Sequence, residues 1–244
     1  MKNPWVIIGV LVAVLVGGSI WYSSTVSQQA NEGVEVISHV KGNPEADVVL
    51  VKYSDFQCPA CAAFVPAVND VLAEFGDDVR FEYRHFPLIQ IHPFAVQAAR
   101  AAEAAGQQGK FFEYHDALFT NQDAWRQSPN PTQFFVQFAE EIGLDMDQFT
   151  RQQRSSILQD KVMAEFDEAR EAGFTGTPTF TLNGERMEIA TYQDFRDQIA
   201  AAVGEGDQAA ETGGVEVSGV ETNTVSVETE TEATAESESA VELD

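Results

Sequence analysis

Residues 47–61 read DVVLVKYSDFQCPAC and hold both cysteines of the 244-residue chain. The apolar and β-branched run over 47–56 predicts a buried strand. Apolar residues at helical spacing follow the cysteines as far as Phe75 and predict a helix that ends near Gly76. We therefore expect Cys58 at the start of a helix, immediately after a strand.

That position has a specific chemical consequence for the two thiols. Backbone N–H groups at a helix N-terminus favour a negative charge, so a cysteine there is stabilised as a thiolate. Residues three apart lie on one helix face, close enough to form a disulfide. Cys58 is predicted to attack and Cys61 to resolve. Pro59, which suits a first helical turn, and Ala60 support the active site.

Two other roles for the cysteine pair are less favoured. A purely structural disulfide would close a very short loop and stabilise little. Half of a zinc site would need two further ligands, and the four histidines are scattered, at His39, His85, His92 and His115. We expect thiol–disulfide chemistry, with no metal and no organic cofactor.

A second signal lies about 117 residues after the cysteines, at Gly176-Thr177-Pro178. A cis proline opening a strand can present the preceding backbone to an extended peptide. We therefore predict a cis Pro178 and assign Thr177 and Pro178 to substrate binding.

Three polar residues near the motifs have alternative interpretations. Asp55 is either a buried acid that moves a proton from Cys61 or a helix cap, and the sequence does not separate the two. Lys52 is a candidate partner for Asp55. His85 is expected to be a packed structural histidine rather than a proton shuttle.

The order of the remaining elements is strand, helical block, hairpin, helix. Residues 79–86 predict a second strand, and 92–172 carry helix-compatible spacing broken by glycines and prolines. Asn183-Gly184 is a hairpin signal between strands over 179–182 and 186–189, and 191–203 predict a closing helix.

Three motifs carry a family resemblance. DFQCPAC at 55–61, RHFPL at 84–88 and GFTGTPTF at 173–180 resemble the DsbA-like thioredoxin-fold oxidoreductases, in particular the membrane-anchored bacterial branch. The resemblance covers about 36–203 and implies an α/β thioredoxin-like fold with an inserted helical domain at about 92–172. One transmembrane helix precedes that fold.

The resemblance also implies an activity. It is the oxidation of thiols in exported proteins, with Cys58 nucleophilic, Cys61 resolving, Pro178 cis, and a quinone-linked membrane partner that reoxidises the enzyme. One residue departs from the pattern. Oxidising members often have histidine before the second cysteine, and Ala60 stands there in this chain. Without that histidine the dithiol form is less favoured, which weakens the oxidant.

The N-terminus predicts a membrane anchor. Residues 5–22, WVIIGVLVAVLVGGSIWY, are uncharged and long enough to span roughly 27 Å as a helix. Aromatic residues mark both ends, and Lys2 is expected on the cytoplasmic side. A cleaved signal peptide is the alternative, although no A-x-A site follows. Residues 1–22 are thus the anchor, 23–33 a flexible polar tether, and 34–203 the folded domain on the extracytoplasmic side.

The charge of the chain argues against a nucleic-acid partner and distinguishes the C-terminal segment from the rest. The formal net charge of −25 argues against nucleic-acid binding. Residues 204–244 hold 12 of the 39 acidic residues and none of the 14 basic ones, so we predict an acidic disordered tail.

Three functions follow for the whole chain. The leading one is an extracytoplasmic oxidoreductase that introduces disulfides into exported proteins through Cys58 and Cys61. An extracytoplasmic reductase or isomerase would use the same residues with the opposite redox poise. A membrane-tethered client-binding module without turnover would need no activated thiol pair, which argues against it.

Overall fold

The strand that precedes the cysteines lies at the centre of a five-stranded sheet. The computed structural model describes residues 4–213. In it β2 runs parallel to β3 and antiparallel to β4, and the sheet order is β1-β3-β2-β4-β5. A central strand covered on both faces is expected to be apolar along its length, which explains the run VVLV in β2. The strands are β1 (His39–Gly42), β2 (Val48–Ser54), β3 (Val79–His85), β4 (Thr179–Leu182) and β5 (Glu185–Arg186).

Helices surround this sheet, and most of them lie between β3 and β4. The predicted α/β architecture with a helical insertion is confirmed, because α4 to α9 all fall in that interval. The helices are α1 (Pro4–Asn31), α2 (Pro59–Ala63), α3 (Val65–Phe75), α4 (Ala95–Gly106), α5 (Phe111–Thr120), α6 (Gln122–Arg126), α7 (Thr132–Glu141), α8 (Met146–Gln152), α9 (Ser156–Glu171) and α10 (Tyr192–Gly213).

The helical insertion shares its core with the sheet. One cluster of buried apolar residues joins Leu50 and Phe81 of the sheet to Tyr114, Trp125 and Phe149 of the insertion. A unit that folded separately would have its own core. The insertion is therefore packed as part of one domain, and its helices help to position the cysteine loop.

The predicted hairpin is present at Asn183-Gly184. Both residues have positive φ, 51° and 85°, as a type I′ turn requires. The second strand is shorter than expected, because β5 covers only Glu185–Arg186. Met187 still donates its N–H to the Phe180 carbonyl at 2.9 Å, after which the chain leaves the sheet.

The segment predicted as a flexible tether is helical instead. α1 passes through 23–31 without interruption, since no glycine or proline occurs there, and ends before Gly33, which has a φ of 67°. Asn31 fixes the end of α1 to the domain: its Oδ1 accepts from Ser155 Oγ at 2.7 Å and from Ser156 N–H at 3.0 Å. By length and composition, the part of α1 from Trp5 could cross a membrane.

The C-terminal helix also extends beyond its predicted end. α10 runs to Gly213 rather than stopping at 203, so the first ten residues of the predicted tail are helical. Alanine and glutamine are good helix formers, and Gln208, Ala209 and Ala210 allow the helix to continue. The rest of the predicted disordered tail, 214–244, lies outside the described residues.

Candidate active site

Cys58 is the N-cap residue of α2 and Cys61 lies within that helix. Cys58 has an extended backbone, with φ −79° and ψ 120°, and Pro59 follows as the first helical residue. Both sulfur-bearing residues are buried, Cys58 at 6% exposure and Cys61 at 0%, whereas Pro59 and Ala60 are exposed. The cysteines are free thiols in this structure. The predicted strand–cysteine–helix arrangement is present.

The two thiols have opposite acidities. A hydrogen bond from Cys61 is the main cause that lowers the pKa of Cys58 to about 5. The backbone N–H groups of Cys61 and Ala60 lower it further, whereas burial of the thiol opposes the fall. Burial raises the pKa of Cys61 well above its usual range, and the neighbouring Cys58 raises it further. Near neutral pH the site therefore holds a Cys58 thiolate beside a Cys61 thiol.

The loop before β4 closes over Cys58. The Thr177–Pro178 peptide bond is cis, as predicted. In the thiol form Cys58 donates to the Thr177 carbonyl at 3.4 Å, and the buried Thr177 hydroxyl has no partner among the described residues. Thr177 also lowers the pKa of Cys58, because its unpartnered hydroxyl can donate to the sulfur once the thiol has become a thiolate. The substrate-binding role assigned to Thr177 and Pro178 stays a prediction.

Asp55 ties the cysteine loop to the loop after β3. Its Oδ1 accepts the Gln57 N–H at 2.7 Å, and its Oδ2 accepts the Leu88 N–H at 2.7 Å and lies 2.7 Å from His92 Nδ1. α2 has no side-chain cap, so Asp55 does not cap the helix that carries the cysteines. Its own N–H points to Cys61 Sγ at 3.5 Å.

Lys52 has a different partner from the one predicted, whereas His85 is packed as expected. Lys52 Nζ donates to the Cys61 carbonyl at 3.1 Å and forms no ion pair with Asp55. His85 is buried with its Nε2 2.8 Å from Glu103, which also binds His39 and Lys161. This packed polar cluster agrees with the structural interpretation of His85.

Other residues that hold the loop had no visible signal in the sequence. Gln122 Nε2 donates to the carbonyls of Phe56 and Cys58 at 2.8 and 2.9 Å, from a helix more than sixty residues away. Gln57 Oε1 accepts the Phe94 N–H at 2.9 Å. Across residues 4–213, no three histidine, cysteine or acidic side chains are grouped so that they could hold a metal ion.

An α/β fold with a buried cysteine pair of unequal acidity beside a cis proline defines the class of protein thiol–disulfide oxidoreductases. The family model described as thioredoxin matches residues 35–201, so the chain belongs to this thioredoxin family.

Solved structures share the fold over most of the chain. A thioredoxin-like oxidoreductase from Silicibacter pomeroyi DSS-3 is 28% identical, with a TM-score of 0.59, covering 75% of this chain and 97% of that one. Wolbachia pipientis alpha-DsbA1 is 19% identical, with a TM-score of 0.61, and the match covers 75% of this chain and 99% of that one. Oxidised BdbD from Bacillus subtilis is 20% identical, with a TM-score of 0.59, and the match covers 71% of this chain and 95% of that one. At 19% and 20% identity the last two show the fold alone.

The curated relatives that match are much longer proteins. Na(+)/H(+) antiporter NhaA 3 of Salinispora tropica is 40% identical over 148 residues, which is 61% of this chain and 22% of that protein. Na(+)/H(+) antiporter NhaA 1 of Mycobacterium sp. KMS is 40% identical over 150 residues, 61% of this chain and 24% of that protein. This chain thus spans about a quarter of the length of these relatives.

Proposed function

We propose that this chain introduces disulfides into exported proteins by exchange through Cys58 and Cys61, from a position anchored to the outer face of a membrane. The observation that carries the proposal is the unequal acidity of the two thiols. A pair in which one member is a stable thiolate favours the reduced state, so its disulfide is readily reduced by a substrate and acts as an oxidant.

The reaction balances as a two-electron exchange. A substrate thiolate attacks Cys58 of the oxidised enzyme, the Cys58–Cys61 bond breaks, and a mixed disulfide forms with Cys61 as leaving group. Cys61 takes up a proton. A second substrate thiolate then attacks the substrate sulfur of the mixed disulfide, and Cys58 leaves as a thiolate. The substrate is oxidised and the enzyme is reduced to the dithiol. A low pKa makes Cys58 a good leaving group in the second step.

The acidity of Cys58 supports the oxidising direction despite Ala60. Its pKa of about 5 lies between the values of about 7 for thioredoxin and about 3.5 for DsbA. Hydrogen bonds from Cys61 and from two backbone N–H groups replace part of the stabilisation that a histidine at position 60 would supply.

An extended client segment has a suitable surface beside the thiols. The Thr177 carbonyl lies next to Cys58, where the backbone of a client could pair with it. A cavity of about 290 Å³ adjoins this loop, lined by Thr175 and by apolar side chains that include Phe86, Leu88, Ile91 and Phe166. Ile91 is 68% exposed, so an unfolded client could cover apolar surface here.

The anchor suggests how the enzyme is regenerated. α1 contains one segment long and apolar enough to span a bilayer, and Asn31 fixes its end to the catalytic domain. We propose that residues 5–22 hold the domain on the extracytoplasmic side, within reach of a quinone-linked membrane protein that reoxidises the dithiol. Protease added to protoplasts or spheroplasts should degrade the domain, and degradation only after their lysis would contradict this orientation.

The exchange activity is tested with the full-length protein in detergent micelles. The oxidised protein, mixed with a reduced unfolded protein that contains two cysteines, should oxidise one equivalent of it and become fully reduced. Cys58→Ser should abolish the reaction. Cys61→Ser cannot form the Cys58–Cys61 disulfide and should also fail to oxidise the substrate. Mixed instead with a disulfide-bonded protein, Cys61→Ser should accumulate a mixed disulfide, because Cys58 attacks the substrate disulfide and the resolving thiol is missing.

The matched control is a serine change at an exposed alanine at the end of the same helix, Ala63→Ser, which should retain the oxidation. Equal oxidation by wild type and Cys58→Ser, or none by the wild type, would overturn the proposal. Persistent reduction of a disulfide substrate by the dithiol form, with no oxidation in the other direction, would show a reductase instead.

A further inference from the structure

Lys52 is a buried lysine directly beneath the cysteine helix. It belongs to β2, its side chain is 1% exposed, and its Nζ donates to the Cys61 carbonyl at 3.1 Å. The ammonium group also lies 5.1 Å from the centre of the Phe119 ring. A fully buried lysine is rare unless a counter-charge accompanies it.

The described residues supply no such counter-charge in direct contact. No carboxylate oxygen of residues 4–213 lies within 4 Å of Lys52 Nζ. Asp55 uses both oxygens on the Gln57 and Leu88 N–H groups and His92, and Asp116 pairs with His115 at 2.7 Å and Lys41 at 3.8 Å. The cavity beside Lys52 measures about 10 Å³, too little for a bound anion.

The negative charge near Lys52 that differs between the oxidised and the reduced enzyme is the charge on the cysteine sulfur atoms. Cys61 carries the carbonyl that binds Nζ, and Cys58 lies three residues earlier on the same turn. We propose that the Lys52 ammonium is the buried counter-charge of the reduced thiol pair, so that it favours the reduced form with its Cys58 thiolate and makes the disulfide more oxidising. This inference rests on the proposed function and assigns Lys52 a positioning role, since its charge acts on the sulfur atoms and it forms no bond to them.

The protons follow from this assignment. In the oxidised enzyme neither sulfur is charged, so burial favours the neutral amine. When a substrate dithiol reduces the Cys58–Cys61 bond, the two substrate thiols lose two protons as they form their own disulfide. One proton goes to the Cys61 sulfur and the other to Lys52 Nζ, which leaves a Cys58 thiolate beside an ammonium group. Electrons, protons and charge balance without a further reactant.

The acidity of Lys52 agrees with a group that changes its protonation state. Burial lowers the pKa of Lys52 to about 8, while both cysteines and Asp116 oppose that fall. The charged or titratable groups that face Lys52 come from four neighbouring parts of the fold. They are Cys58 and Cys61 at the start of α2, Tyr83 of β3, His115 and Asp116 of α5, and Lys41 of β1.

Lys52→Met tests the inference in the full-length protein. Methionine preserves most of the volume and removes the charge. We expect the equilibrium with glutathione to shift about tenfold toward the disulfide, a reduction potential about 30 mV more negative. The pKa of Cys58, measured as the thiolate absorbance, should rise. Lys52→Arg should restore both values toward wild type, because it retains the charge.

Lys110→Met is the matched control, since it removes an exposed lysine whose partner is Glu113 on the surface. Its potential should equal that of wild type. An unchanged potential and an unchanged Cys58 pKa in Lys52→Met would overturn the inference. A variant that loses stability equally in its oxidised and reduced forms, with no shift in potential, would show a purely structural lysine.

A measurement on the wild type keeps the inference testable if these variants do not fold. The chain contains five lysines, so carbon-labelled lysine side chains give a simple nuclear magnetic resonance spectrum. The pKa of the buried Lys52 should be lower in the oxidised than in the reduced protein, and equal values would refute the coupling. If the wild type does not exchange disulfides with any thiol substrate, the proposed function fails, whatever the outcome for Lys52.

Discussion

The low pKa of Cys58 should depend on its neighbour Cys61 more than on any other single group. The hydrogen bond from the Cys61 thiol is the largest of the effects that set it. Cys61→Ala removes that donor but keeps the backbone N–H groups of the helix turn. The Cys58 thiolate then loses one hydrogen bond, and its pKa must rise.

The size of the rise follows from the strength of such a bond. A hydrogen bond to a charged group contributes about 1.5–3 kcal/mol, and one pKa unit corresponds to about 1.36 kcal/mol. The pKa of Cys58 should therefore rise by roughly one to two units from its starting value of about 5. Cys61→Ser keeps an O–H donor at the same position, so its pKa should stay closer to wild type.

The assay is direct because the chain contains only two cysteines. In either variant Cys58 is the only thiol, so the ultraviolet absorbance of the thiolate as a function of pH reports this residue alone. The rate of alkylation over the same pH range gives an independent value. Equal pKa values in Cys61→Ala and Cys61→Ser, both near that of wild type, would refute the reasoning and assign the acidity to the backbone instead.

Three further outcomes are expected. Because the pKa of Cys58 is lower in the folded than in the unfolded protein, it stabilises the reduced fold fully above pH 9.0, the unfolded value, and this contribution is lost as the pH falls to about 5. Urea unfolding should show the reduced form losing stability relative to the oxidised form between these two pH values, and parallel curves would contradict the assignment. Asp55→Ala leaves the buried Gln57 N–H and the part-buried Leu88 N–H without an acceptor and should cost about 2–4 kcal/mol in urea unfolding. The exposed Asp123→Ala should change stability by less than about 0.5 kcal/mol. Asn31→Ala removes the acceptor of Ser155 Oγ, so amide hydrogen exchange at 31–34 should accelerate, while the free energy of unfolding falls by only about 1 kcal/mol. Unchanged exchange would show that α1 is held by other contacts.

Features encoded by a few adjacent residues could be predicted from the sequence. The cysteine helix, the cis Pro178 and the Asn183-Gly184 hairpin were all expected, and each is present. Each depends on short-range chemistry: the placement of cysteines after a strand, the ring of a proline, and the positive φ that asparagine and glycine tolerate.

Helix ends were predicted less well, because they depend on what the chain meets in space. α1 continues into the polar segment 23–31, where Asn31 binds the start of α9, and nothing in that segment alone reveals its partner. α10 likewise passes its expected end at 203. Polar composition suggested flexibility in both places, but composition does not report docking or the absence of a helix-breaking residue.

The sequence by itself determined the candidate reacting groups: two cysteines three apart, at the turn from a strand to a helix, with a proline that opens a later strand. It did not determine their surroundings. Only the tertiary structure brought Thr177 to Cys58 and Gln122 to the cysteine loop, across separations of 119 and 64 residues. It also directed Asp55 to the loop after β3 and left Lys52 buried under Cys61 without a carboxylate in contact. Acidity depends on the burial and the charges within a few ångströms, and these are set by which distant segments pack together.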